Sequence, residues 1–192
     1  RQSVSQQLAA FDGPARSVIE IGVGRLIDYQ SAAYAQLYLD RLAPIRDVEI
    51  RTGGDGSLLR DVARHLAVRM AFDDVIRVAQ LKIDPARLAA VRHEVRAKNG
   101  QPVLVIDYFK PGIEEICSLL PPRLAEPILR FSAKRGWLGR VYVGMHIKSN
   151  SIFGFLRLKL LSKLRWRRPR SLRWRDEQRL TEASGNEGAT YE

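Results

Sequence analysis

Along most of this chain the apolar residues return every three or four positions. Only two stretches, Val103 to Phe109 and Arg140 to Lys148, are strand-like, the first a near-continuous apolar run and the second loosely alternating. A single strand leaves its backbone donors and acceptors unpaired, so two strand segments in a helical chain are expected to pair with each other. The sequence therefore specifies a mainly α fold, a multi-helix domain with a small two-stranded β element. Antiparallel pairing is favoured if the intervening helices reverse the chain, whereas a crossover would make it parallel.

The segment from Val103 to Pro122, VLVIDYFKPGIEEICSLLPP, carries most of this reading. Its β-branched start is bounded by Gln101-Pro102 and Pro111-Gly112, which are turn residues. After Gly112, residues Ile113, Ile116, Leu119 and Leu120 share a helical face, and Pro121-Pro122 ends the helix. Glu114 and Glu115 are adjacent, so they point in different directions. They fit helix N-terminal acids better than a paired acid–base site.

Elsewhere the signals are helical. One long helix is expected from Ala15 to Leu42, on a stripe of Ile19, Val23, Leu26, Ala33 and Leu37. Gly22 and Gly24 within it mark either close approach of a neighbouring backbone or a kink. Leu59, Val62, Ala63, Leu66, Ala67 and Met70 make a second apolar face behind Ser57, a candidate N-cap. Phe72 to Ile83, started by Asp73 or Asp74, continues the spacing and is expected to form a hairpin with it. Asp84-Pro85 opens a helix that Asn99-Gly100 ends, and Arg123 to Arg135 is helical with Pro127 either in its first turn or kinking it. Helix resumes from Ile152 to Trp166, Pro169 breaks it, and a polar helix follows from Ser171 to about Ala183. Residues 1–14 are expected to be the end of a preceding domain or a linker, 15–184 the helical domain, and 185–192 a disordered tail. A start at Arg1 rather than Met fits a piece of something longer, without a recognisable signal peptide.

Composition narrows the chemistry. A hydrophobic content of 45% supports a packed core, and no apolar run approaches the length of a membrane span. Cys117, the single cysteine, cannot form an internal disulfide or by itself hold zinc or an iron–sulfur cluster, and a reducing, cytoplasmic setting fits it best. On the apolar side of its helix it is a small buried hydrophobe. His65, His93 and His146 have no ligand spacing among themselves. Gly53-Gly54-Asp55-Gly56 precedes a helix as a phosphate cradle would, yet lacks the Gly-Lys-Ser/Thr of a P-loop, so a flexible loop describes it better.

The net charge of +11 calls for acidic partners, and it is concentrated in a run from Arg157 to Arg175 that contains no acid. Trp166 and Trp174 interleave with its arginines, which fits phosphate contact plus base stacking in an arginine-rich nucleic-acid-binding module. Its leucines surround the helix axis instead of segregating from the cations, which weakens a membrane-surface reading. The third reading, a basic face that docks on a protein, is preferred here, with Arg165, Arg167, Arg168 and Arg170 as partner-binding residues gripping carboxylates.

Four segments, LIDYQSAAYAQLYLDRL at Leu26 to Leu42, AFDDVIRVAQLKIDPAR at Ala71 to Arg87, FKPGIEEICSLLPPRLAEPIL at Phe109 to Leu129 and RGWLGRVYVGM at Arg135 to Met145, together resemble one family. They are similar, in unbroken order over about Leu26 to Gln178, to the C-terminal region of the indolepyruvate oxidoreductase beta subunit and of the fused long-chain indolepyruvate ferredoxin oxidoreductases. The resemblance implies a bacterial enzyme that oxidatively decarboxylates an aryl 2-oxoacid to an acyl-CoA, with thiamine diphosphate, coenzyme A and iron–sulfur electron transfer to ferredoxin. This chain has neither the cysteine cluster nor the thiamine diphosphate motif of that chemistry. The resemblance therefore implies a non-catalytic helical domain that acts in assembly or substrate-site closure, with the cofactors in other domains or subunits and no catalytic, cofactor-binding or metal position here.

Overall fold

The computed structural model describes residues 3–187, with side chains as far as Thr181. Among these residues the order is α1 (Val4–Leu8), a 3-10 turn (Gly13–Ala15), α2 (Arg16–Tyr29), α3 (Ala32–Thr52), α4 (Ser57–Met70), α5 (Val75–Lys82), α6 (Pro85–Glu94), β1 (Ile106–Phe109), α7 (Ile113–Ser118), α8 (Pro122–Lys134), β2 (Met145–Lys148), α9 (Ile152–Lys163), a 3-10 segment (Leu164–Arg170) and α10 (Leu172–Glu187). The fold is mainly α with one small two-stranded sheet, as the periodicity requires. One domain is expected over 15–184, and contacts divide the chain into two compact units. The first holds the chain up to Phe72 and again from Asp176, and the second holds Asp73–Arg175. The two helices expected to form a hairpin, α4 and α5, belong to different units. Helix α10 continues to Glu187, through the start of the expected disordered tail, and the rest of that tail lies outside the described residues.

In the first unit α2, α3 and α4 pack mutually around Ile19, Leu26, Tyr29, Tyr38, Leu39, Leu42, Ala63 and Met70. Two tyrosines of α3 stitch it to α4, because their buried hydroxyls need acceptors. Tyr34 donates to the Met70 carbonyl at 3.0 Å and Tyr38 to the Ala63 carbonyl at 3.0 Å. The expected single helix over 15–42 is instead two helices. Ser31 takes extended backbone and its hydroxyl accepts from the Tyr34 N–H at 3.2 Å, starting a new helix two residues after α2 ends. That second helix runs past Leu42, through Pro44, to a left-handed Gly53. Gly22 is a close-approach glycine, facing a side chain rather than a backbone: a Cβ there would lie 2.7 Å from the Tyr38 hydroxyl. Gly24 meets nothing within 4 Å. Helix α1 packs on α3, and Phe11 behind it is buried in the same unit.

In the second unit β1 pairs antiparallel with β2, in the register Ile106 with Lys148, Asp107 with Ile147, Tyr108 with His146 and Phe109 with Met145. The ladder is shorter than the strand-forming residues. At its outer end the Asn150 side-chain amide stands in for a partner strand, accepting from the Val105 N–H at 3.1 Å and donating to the Val103 carbonyl. At the other end a bridge between Gly112 and Tyr142 continues the pairing past the turn. Helix α9 packs on α5, and Cys117, Ala125 and Leu172 form a small apolar cluster with Ile113, Leu120 and Leu129 around it. Asp74 caps α5 by accepting from the Arg77 N–H at 2.6 Å, and Asp84 caps α6 as the sequence indicates. That helix stops at Glu94, short of Asn99-Gly100, where Arg96 adopts a left-handed conformation.

Candidate functional site

Each unit buries carboxylates, and what those carboxylates contact limits the chemistry left to do. Glu49, buried on α3, accepts from the N–H groups of Leu58 at 3.2 Å and Leu59 at 3.0 Å. It supplies the negative charge that the N-terminus of α4 attracts. The glycine loop at 53–56 therefore leads to a helix end that the chain already caps, which removes the phosphate-cradle reading. Ser57, expected as the N-cap, is instead the first residue of α4, behind a left-handed Gly56.

In the second unit, Asp107 of β1 is buried beneath two cations. Its carboxylate accepts from Lys82 Nζ at 2.5 Å, Arg87 Nη2 at 3.0 Å and the Ser149 hydroxyl. Burial alone would raise this carboxyl, but the Lys82 hydrogen bond, the Ser149 hydroxyl and the charges of Lys82 and Arg87 outweigh it. They hold the carboxyl below its usual value. A carboxylate so neutralised is a structural tie between the sheet and the α5–α6 connection.

Asp74 is the second buried acid of this unit. Arg168 Nε donates to its Oδ2 at 2.7 Å and Nη2 to its Oδ1 at 3.0 Å, a two-bond grip with both side chains sealed from water. Arg168 is only 1% exposed, which corrects the expectation that it binds a partner. Folding commits its guanidinium to Asp74, which lies 94 residues earlier.

Arg165, Arg167 and Arg170 remain on the surface with Trp166, which is 63% exposed. The guanidinium carbons of Arg167 and Arg170 lie 5.6 Å and 6.0 Å from the centre of the Trp166 ring. The basic excess is unevenly placed. The second unit has 22 Lys and Arg against 8 Asp and Glu, a formal +14, whereas the first has 10 against 13, a formal −3.

His65, His93 and His146 are exposed and lie apart in the sequence, with His146 stacked edge-on to Tyr108 at 4.5 Å between ring centres. Cys117 is buried, and burial together with the Glu114 charge pushes its thiol up, away from the reactive thiolate. Among the described residues no three His, Cys, Asp or Glu side chains gather in a way that could hold a metal ion. The donors present do not fit an iron–sulfur cluster, which takes several cysteine thiolates. No helix among the described residues is long and apolar enough to cross a membrane.

The interior ties were only partly visible in sequence. Asp107 interrupts an otherwise apolar run, which is a signal for a buried, paired acid, and Asp74 stands at a cap position. Their cationic partners carry no local signal.

Residues 15–183 match the model of a family of unknown function, DUF6537, and the chain belongs to that family. No curated protein and no solved structure matches it.

Proposed function

We propose that this member of the family is a non-catalytic helical domain of an indolepyruvate-type 2-oxoacid ferredoxin oxidoreductase, serving its assembly or the closure of its substrate site. The parent enzyme converts an aryl 2-oxoacid to an acyl-CoA with thiamine diphosphate, coenzyme A and iron–sulfur clusters, all held elsewhere in its cytoplasmic assembly. Two things support this reading. The resembling segments run in unbroken order through the matched region, and the buried carboxylates of Glu49, Asp74 and Asp107 are each engaged within their own unit.

The observation that carries an assembly role is the contrast within the second unit. Asp74 and Asp107 are saturated by Arg168, Lys82, Arg87 and Ser149, while arginines flanking Trp166 face outward. An interior closed on itself beneath a predominantly basic surface is suited to contact something acidic. The nucleic-acid alternative loses ground at Trp166. The ring a base would stack on already carries two guanidinium groups.

The test is subtraction and return. The purified chain is expected to be colourless and to reduce no artificial acceptor in the presence of an aryl 2-oxoacid and coenzyme A. The oxidoreductase lacking these residues should lose assembly or turnover and regain it when the chain is added. Iron–sulfur absorption in the chain, acceptor reduction by it alone, or an oxidoreductase indifferent to its removal would each reject the proposal.

A further inference from the structure

Helix α9 settles how its leucines are disposed. Gly154 and Leu158 lie on one side and are buried, and at Gly154 a Cβ would run into the Lys148 carbonyl. Facing away are Ile152 and Phe153, each 78% exposed, with Leu156 at 54% and Leu160 at 69%. At 3.6 residues per turn these four span roughly 100° of the helix. Arg157 borders the arc on one side, Lys159 on the other, and Lys163 follows at its C-terminal end, all exposed. The arc thus leads into the 3-10 segment that carries Trp166, Arg167 and Arg170.

We propose that this face of α9, continued by the turn at 164–170, is a docking surface for a protein that presents an apolar ridge edged by Asp and Glu. The proposal rests on the reading above in taking that protein to be the remainder of the oxidoreductase. Three observations select the chemistry. Exposed large side chains in one arc ask for an apolar cover. Cations on both borders, with no acid from Arg157 to Arg175 and a unit at +14, ask for carboxylates at its edges. Arginines outnumber lysines in that run by seven to two, and the guanidinium groups of Arg167 and Arg170 lie beside the Trp166 indole, a planar fork chemistry that suits paired carboxylate bonds. An anionic bilayer would attract the same cations, but in-plane binding scales with the apolar area buried, and the exposed arc of α9 offers only Ile152, Phe153, Leu156 and Leu160.

The experiment compares the full chain with two variants. One carries Leu156→Ser and Leu160→Ser, and the other Arg157→Glu, Lys159→Glu, Arg167→Glu and Arg170→Glu. All six positions are exposed, so both variants should keep the wild-type circular dichroism spectrum and melting temperature, which is checked first. Each is titrated into an indolepyruvate-type oxidoreductase polypeptide that carries the thiamine diphosphate and iron–sulfur domains and lacks these residues. Binding is followed by sedimentation. Parallel samples contain phosphatidylcholine–phosphatidylglycerol vesicles or single-stranded RNA. Wild type is expected to bind the polypeptide, with each variant at least ten-fold weaker. Equal binding by wild type and both variants overturns the α9 surface and leaves the assembly role standing. Absence of wild-type binding overturns both, and vesicle or RNA binding that the variants abolish then gives the surface to lipid or nucleic acid instead.

Discussion

Replacing Arg168 with Met should be among the most damaging single changes in the second unit. The side chain is fully enclosed and its partner nearly so, with relative exposures of 0% and 4%. Met roughly keeps the volume and removes the charge, leaving the Asp74 carboxylate buried with the Arg77 N–H. Breaking a buried pair from one side costs about 3–5 kcal/mol, most of it from the stranded charge. For a unit of about a hundred residues, each kcal/mol lowers the melting temperature by roughly 4–8 °C, so a fall of about 12 °C or more is expected.

The double variant, Arg168→Met with Asp74→Asn, separates the pair from its packing. Asn keeps an oxygen for the α5 cap, and no charge is left buried, so the double variant should be more stable than either single one. The coupling should be at least about 2 kcal/mol. Urea unfolding followed by circular dichroism at neutral pH measures all four proteins. A loss below about 1 kcal/mol for Arg168→Met, or additive losses in the double variant, would refute the argument that Arg168 is an interior residue.

Two further outcomes follow from the packing. Gly22→Ala and Gly24→Ala should have opposite signs: the first drives a Cβ to 2.7 Å from the Tyr38 hydroxyl and 3.1 Å from the Ala67 Cβ, while the second meets nothing within 4 Å and gains helix propensity of about 1 kcal/mol. Thermal melts of both variants decide it, and a stabilised Gly22→Ala protein would show that α2 and α3 are not packed as described. The Asp107 carboxyl is held below its usual value of 3.8, so its ion pairs contribute their full stability above that pH and lose it as the pH falls through 3.8 toward the depressed value. Asp107→Asn should therefore lower stability at pH 7 and flatten the acid limb of a stability–pH curve; an unchanged acid limb would count against the Lys82–Asp107–Arg87 tie.

Secondary structure was legible wherever a local rule decided it. Asp84-Pro85 announces α6 by its own chemistry, and the shift of period at Val103 and near Val141 announces the only two strands among the described residues. The break between α2 and α3 was hidden because the apolar stripe continues across it. Ser31 is an N-cap only if the backbone there is extended, and neither the stripe nor the serine alone says so. Pro44 has the opposite lesson. A proline that ought to end a helix is carried through it, since tertiary packing around Leu39 and Leu42 outweighs the local penalty. The strands overran the ladder because strand propensity in Val103 to Val105 cannot show that the opposing position will be filled by the Asn150 side chain.

The candidate surface was only partly legible in the sequence, for a related reason. In the run from Arg157 to Arg175, Arg168 has the same composition around it as Arg167 and Arg170, and only a carboxylate 94 residues away distinguishes it. Composition therefore predicted four arginines acting alike, and the fold draws one inward. For α9, apolar residues around the whole axis looked like a poor surface helix. A helix that is apolar all round is one covered on all sides. The second unit covers the side of Gly154 and Leu158. Ile152, Phe153, Leu156 and Leu160 are left exposed among the described residues, and on the docking proposal a protein covers them, its charge matched to Arg157 and Lys159 at the borders.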